Sequence, residues 1–237
     1  MGPKERRERE REETRTRILD AARELFASEG VESVTMRRIA DRIEYSPTAI
    51  YFHFRDKEAL LGELCDTDFR AIAQQFTAIA AIADPIERLR ATGHAYVEFG
   101  IANPSHYRVM FMTPKPPHTP EESALRKGNP DEDSYEFLKL IVTQAMADGR
   151  LRGDVTDADL AAQVIWAGVH GVVSLEIAKC NDAWVDWRPI ADRAKLMIDV
   201  LIAGVSKDAS KSISKSISKS VPKGASKGAS KSVSSKD

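Results

Sequence analysis

The chain has 237 residues, 42% of them hydrophobic and 30% charged, and a formal net charge of −1. That length suits one or two domains with a sizeable buried core, and the overall charge neither requires nor excludes a nucleic-acid partner. Two distant cysteines, Cys65 and Cys180, give no disulfide framework and no metal-ligand spacing, so the expected compartment is a reducing cytoplasm.

The opening MGPKERREREREE has no apolar segment of the kind a signal peptide needs, and Arg6 stands where N-myristoylation prefers Ser or Thr. No apolar run approaches the ~18 residues of a membrane span, so no membrane partner is expected. Charge is unevenly distributed. Residues 1–60 are neutral, residues 61–206 carry −7, and residues 207–237 carry +6.

The expected fold class is all-α, with about nine helices. Residues 1–13 read as a charged N-terminal arm. From about Thr14 to Ser28, Ile18, Ala22, Leu25 and Phe26 recur at helical spacing and Gly30 follows as a stop. Thr35 opens a short helix carrying Met36, Ile39, Ala40 and Ile43. Ser46 before Pro47 is an N-cap before a first-turn proline and starts a third helix. Asp56 caps a long fourth helix with the stripe Leu61, Leu64, Cys65, Phe69, Ile72, Phe76 and Ile79.

Asp84-Pro85 with Glu87 resembles a capping box and starts a fifth helix, to about Ala102. Asn103-Pro104 begins a short sixth, through Tyr107 and Met110. Residues 113–130 hold five prolines and read as a loop. A seventh helix is expected from Glu132 to Ala147, an eighth capped by Thr156 with Asp159, and a ninth opening at Pro189. Beyond Ser206, lysines recur every four residues among serines. Such a repeat cannot bury a core, so residues 207–237 are expected to be disordered, with salt-sensitive DNA binding as the other reading.

A helix from Thr35, a turn near Glu44-Tyr45 and a helix from Ser46 have helix-turn-helix spacing. In that motif the second helix enters the major groove. Here it starts with Pro47, Thr48 and Ala49, whose small side chains let the backbone approach base edges. Tyr51, His53 and Lys57 then offer an O–H, a ring N–H and an ammonium, a mixture that positions a duplex without reading its sequence. Phe52 and Phe54 are expected in the core.

The stretch TMRRIADRIEYSPTAIYFHFRDKEALL, preceded by LFASEG, closely resembles the DNA-binding region of the tetracycline-repressor (TetR) family. The marks are Gly30 before Thr35, Ile39-Ala40, Tyr51 with Phe52-His53-Phe54, and Lys57-Glu58-Ala59-Leu60. The resemblance is specific over residues 14–64 and looser to 206. It implies a homodimeric one-component regulator, with a DNA-binding domain over 14–60 and a ligand-binding and dimerisation domain over 61–206. It also implies that Thr35, Tyr51, His53 and Lys57 touch phosphates, that Arg37 points into the groove, and that Pro47, Thr48 and Ala49 face bases of a pseudo-palindromic operator. Glu44 departs from the pattern, because a glycine usually stands there. A Glu at positive φ costs on the order of 1 kcal/mol, unless the turn is built differently.

Trp166, His170 and Gly171 are similar in spacing to a C-terminal subclass of that family named for Trp, His and Gly. Phe99, Tyr107, Met110, Trp166 and His170 are the candidate contacts of a small apolar or aromatic effector. The plainer readings are a core aromatic stripe and a core His170 bonded to a backbone carbonyl. Gly93, Gly100, Gly168 and Gly171 lie inside helices, which points to close packing or a cavity. Ala161, Ala162, Ala167 and Gly168 with Leu196, Ile198, Leu201 and Ile202 are expected to form the dimer interface.

The five histidines show no metal-binding pair, and there is no nucleophile elbow, phosphate-binding glycine loop or Cys-x-x-Cys. No enzyme activity, cofactor or metal is therefore expected. The expected function is repression by DNA binding, relieved by the effector through the fourth helix. The alternative is a ligand-independent architectural protein that coats DNA with its lysine tail.

Overall fold

Nine α-helices build the fold, and no strand occurs among the described residues. The structure is a computed structural model that describes residues 2–114, 119, 121 and 123–207. The lysine-serine repeat from 208 onward and much of the proline-rich loop expectation lie outside those residues.

Helix α1 spans Pro3–Glu29, α2 Met36–Arg42, α3 Pro47–His53 and α4 Lys57–Ile79. Thr35, Ser46 and Asp56 each accept a backbone N–H three residues on, from Arg38, Ala49 and Ala59. These are the N-caps read from sequence, and they set the starts of α2, α3 and α4. The charged arm is not separate: α1 begins at Pro3 rather than near Thr14. Alternating Glu and Arg explain the extension, since Lys4–Glu8, Arg6–Glu10 and Arg9–Glu13 pair at i,i+4 along it.

Helix α5 (Pro85–Ala102) is capped by Asp84, whose carboxylate accepts from the N–H groups of Ile86 and Glu87. Helix α6 (Pro104–Tyr107) runs directly into one wide π-type turn, Arg108–Met112. Helix α7 spans Ser134–Ala147, α8 Ala158–Lys179 and α9 Ile190–Val205. The cap of α8 is Asp157, one residue past the expected Thr156; the Asp157 carboxylate accepts the Leu160 N–H at 3.0 Å.

Two apolar cores result. The first gathers Ile18, Ala22 and Phe26 of α1, Ile39 of α2, Ile50 of α3 and Leu60 and Leu64 of α4. The second gathers Ile72 and Phe76 of α4 with α5, α7, α8 and α9. One helix therefore feeds both cores, and Phe69 packs against each of them. Phe54 is buried as expected, but Phe52 is 73% exposed. Phe52 lies two residues from the fully buried Ile50, and on a helix that separation turns it away from the core.

The second core is closely packed where α5 meets α8. A methyl group on Gly100 would stand 2.5 Å from Val173 Cγ1 and 2.9 Å from Tyr107 Cδ2. Gly100→Ala is expected to lower stability by about 1–3 kcal/mol in urea denaturation. An unchanged midpoint would mean that α5, α6 and α8 do not approach this closely.

Candidate functional site

The helix-turn-helix is shaped by a strained turn. Glu44 has φ 61°, the only positive φ at a non-glycine position among the described residues. The sequence departure therefore leaves the turn geometry in place and puts the strain on a Glu. Tyr45 N–H donates to Ala40 O at 3.0 Å and closes the turn, and Arg17 of α1 lies over the Tyr45 ring.

Thr35, Arg37, Pro47, Thr48 and Tyr51 are exposed, and Ala49 is half-buried. The Thr35 oxygen accepts the Arg38 N–H, which leaves its own proton free to donate outward. Among the arginines of α2, Arg38 pairs with Glu29 and Arg42 with Glu24. Arg37 has no such partner among the described residues, so its guanidinium is available to a ligand.

Two sequence-predicted contacts, Lys57 and His53, are less exposed. Lys57 is half-buried, and its ammonium donates to Val31 O at 2.9 Å and Val34 O at 3.2 Å. It ties the start of α4 to the α1–α2 loop and has one proton left for a further acceptor. His53 is half-buried, and its Nδ1 has no hydrogen-bond partner. Burial, with Arg11 and Arg15 nearby, lowers its pKa, so the ring is neutral near pH 7 and brings no charge to the surface.

The second core borders a partly open cavity of about 610 Å³. Phe69 and Phe76 of α4, Leu89 and Tyr96 of α5, Met110 and Phe111 of the wide turn, Leu138 of α7 and Ile165 and Trp166 of α8 surround it. Thr119 and residues from Ser123 to Tyr135 also line it. Of the five candidate ligand contacts, Met110 and Trp166 are in the lining. Phe99, Tyr107 and His170 are not, and this corrects the expectation. Phe99 is buried edge-on against His106, and Tyr107 is fully buried behind Tyr96 and Phe111.

Tyr107 and His170 instead brace the wall. Trp166 Nε1–H donates to the Tyr96 oxygen at 3.0 Å, the Tyr96 and Tyr107 oxygens are 2.9 Å apart, and the Tyr107 oxygen is 2.6 Å from His170 Nδ1. Burial pushes the Tyr96 phenol up to about 12, raises Tyr107 further and lowers His170. All three groups are thereby held neutral. Phe69, Thr92, Tyr96, Phe111 and Tyr135 were missed as lining. They lie on α4, α5, the wide turn and α7, and spacing along one helix does not show which residues of different helices border a common void.

Two family models match the chain. Bacterial regulatory proteins of the tetR family match over residues 18–64, and a tetracyclin repressor-like C-terminal domain matches over residues 89–201. The HTH-type transcriptional regulator UidR of Escherichia coli (strain K12) is 30% identical over 153 residues, 62% of this chain and 71% of that one. The chain belongs to the tetR family.

As a member it is a helix-turn-helix, DNA-binding regulator of transcription. Solved structures of tetR-like regulators share its fold. The fatty acid degradation regulator FadR from Bacillus halodurans superposes with a TM-score of 0.65 at 18% identity, covering 86% of this chain and 97% of that one. SmeT, the repressor of the Stenotrophomonas maltophilia multidrug efflux pump SmeDEF, gives 0.62 at 23% identity, covering 82% and 91%.

The two lowered histidine pKa values make stability pH-dependent. Both lie below the ordinary 6.5 in the folded chain. On acidification the unfolded chain takes up these protons first. Their contribution to stability is full above about pH 6.5 and is lost as pH falls below it toward the folded values. The melting temperature of wild type is therefore expected to fall from about pH 6.5 downward, and more gently in His170→Gln. Identical pH profiles would remove His170 from this account.

Proposed function

We propose that the chain is a ligand-responsive repressor that binds a pseudo-palindromic operator as a homodimer and is released by a small apolar or aromatic molecule. The observation that carries this reading is the placement of the cavity wall. Phe69 faces the cavity and packs against both cores. In the wide turn, Met110 and Phe111 line the cavity while Val109 is fully buried in the DNA-binding core. An occupant that shifts this wall moves side chains that anchor the helix-turn-helix.

In this reading Arg37, Pro47, Thr48 and Ala49 face base edges in the major groove, and Arg37 is suited to a bidentate contact with guanine. Thr35, Tyr51 and Lys57 hold phosphates, and His53 contributes at most a neutral N–H.

Dimerisation is supported by an apolar stripe that the chain leaves bare. Leu160, Val164 and Leu175 of α8 and Leu196 and Val200 of α9 are exposed. Ala161, Ala162, Ile198 and Ile202, expected at the interface, are buried in the chain's own core instead. Helix α8 is long and apolar enough to cross a membrane by length and composition. Its stripe at heptad-like spacing, continued on α9, favours a four-helix interface with a second copy. Such a dimer would present two recognition helices to successive major grooves, about 34–36 Å apart. The proposed site of action is the cytoplasm.

Three substitutions test these assignments. Lys57→Ala is expected to weaken binding to every duplex alike and to reduce the salt slope by about one ion. Thr48→Ala is expected to change base preference instead. Val164→Glu should yield a monomer in light scattering, with operator affinity lost. A Lys57→Ala protein that binds as tightly as wild type, or a dimeric Val164→Glu protein, would overturn the corresponding assignment.

A further inference from the structure

Four polar side chains that line the cavity commit their protons to acceptors of the protein. The Thr92 hydroxyl donates to Arg88 O at 2.8 Å, and the Tyr135 hydroxyl donates to the Asp159 carboxylate at 2.8 Å. Ser123 donates to the Asp66 carboxylate at 2.7 Å, and Trp166 Nε1–H donates to Tyr96.

The direction of the Tyr96–Tyr107–His170 chain follows from acid–base matching. A phenol is a far better proton donor than a neutral imidazole, and an imidazole nitrogen is a better acceptor than a phenol oxygen. His170 Nδ1 lies 2.6 Å from the Tyr107 oxygen and 3.3 Å from the Tyr96 oxygen, so it accepts. Tyr107 then donates to His170 and accepts from Tyr96. The Tyr96 proton is committed, while its oxygen keeps a second lone pair beside the one that accepts from Trp166.

The inner wall, where α4, α5, α8 and the wide turn line the cavity, therefore offers acceptors, the Tyr96 and Thr92 oxygens, and no uncommitted side-chain O–H or N–H among the described residues. Thr119, Lys127 and Ser134 are the other described lining residues with an O–H or N–H; the first two lie between the wide turn and α7, and Ser134 is in the first turn of α7. The lining also includes three carboxylates, Asp66, Glu132 and Asp133. A carboxylate ligand placed against the inner wall would be desolvated without a donor to receive it.

We propose that the cavity takes a non-anionic apolar molecule that carries a hydrogen-bond donor, a hydroxyl or amine N–H addressed to the Tyr96 oxygen, and that it rejects carboxylates. This rests on the reading of the cavity as an effector site and narrows the class of effector. A site built to pair a ligand hydroxyl discriminates against an analogue that lacks it, because its buried acceptor is then left unpaired.

The test is equilibrium dialysis of the full chain with 2-naphthol, 2-methoxynaphthalene and 2-naphthoate, which share one ring system. 2-Naphthol is expected to bind about tenfold tighter than the methoxy compound, as one hydrogen bond allows. 2-Naphthoate is expected to show no saturable binding. Tyr96→Phe should lower 2-naphthol affinity about tenfold and leave that of 2-methoxynaphthalene unchanged. The wild-type ranking decides the matter even if that variant does not fold. Equal binding of 2-naphthol and 2-methoxynaphthalene, tighter binding of 2-naphthoate, or no binding of any probe would overturn the inference. Saturable 2-naphthol binding with unchanged DNA affinity would leave it standing and overturn the regulatory reading.

Discussion

Helix α4 is the member on which the rest of the structure hangs. It has 23 residues and a length of about 34 Å, and no break interrupts it. Its first turns supply Leu60 and Leu64 to the DNA-binding core and its later turns supply Ile72 and Phe76 to the second core. Between them sits Asp68, whose side chain is 1% exposed. Its carboxylate receives Arg23 of α1 through two nitrogens, at 2.9 and 3.3 Å, and His106 of α6 at 2.9 Å. A buried charge on α4 held by partners from two other helices, α1 and α6, resists being left unpaired. Removing one partner of such a pair typically costs about 3–5 kcal/mol. The joint between the two halves is therefore stiff, and movement at one end of α4 is hard to absorb locally.

The wide turn at Arg108–Met112 is a second joint. Its extra residue per turn spreads neighbouring side chains, so that Val109 enters one core and Met110 and Phe111 reach the cavity. Arg108 is anchored separately, donating to Ile177 O of α8 at 2.7 Å. In the proposed mechanism an occupant acts on α4 through Phe69 and on this turn through Met110 and Phe111. It shifts the operator-bound population only by the difference in its affinity for the two shapes.

Much of this was legible in the sequence, for reasons that differ from element to element. Ser46-Pro47, Asp56 and Asp84-Pro85 marked helix starts because a cap is a local interaction between residues two or three apart. The fourth helix was legible through its apolar stripe. Phe52 was misread because an aromatic side chain alone does not mark the inward face of a two-turn helix; Ile50 and Phe54 supply that face, and both Tyr51 and Phe52 are exposed. The arm misled because its helix is held by side-chain pairs on its own surface and leaves no apolar pattern. Tyr107 and His170 were expected as ligand contacts. Their role as a brace behind the wall depends on three-dimensional layering, which spacing does not encode. The expected interface included Ala161, Ala162, Ile198 and Ile202, which the chain's own core buries, because spacing on a largely apolar helix does not say which face the chain covers.

The central claim is that the cavity and the helix-turn-helix are energetically coupled through α4 and Val109. The direct measurement is the operator affinity of the full chain, with the cavity empty and with it saturated by a ligand found by thermal shift, in wild type and in Val109→Ala. The account predicts that saturation weakens operator binding at least about fivefold in wild type and by a smaller factor in Val109→Ala. Operator affinity that stays the same in wild type with the cavity full would contradict it.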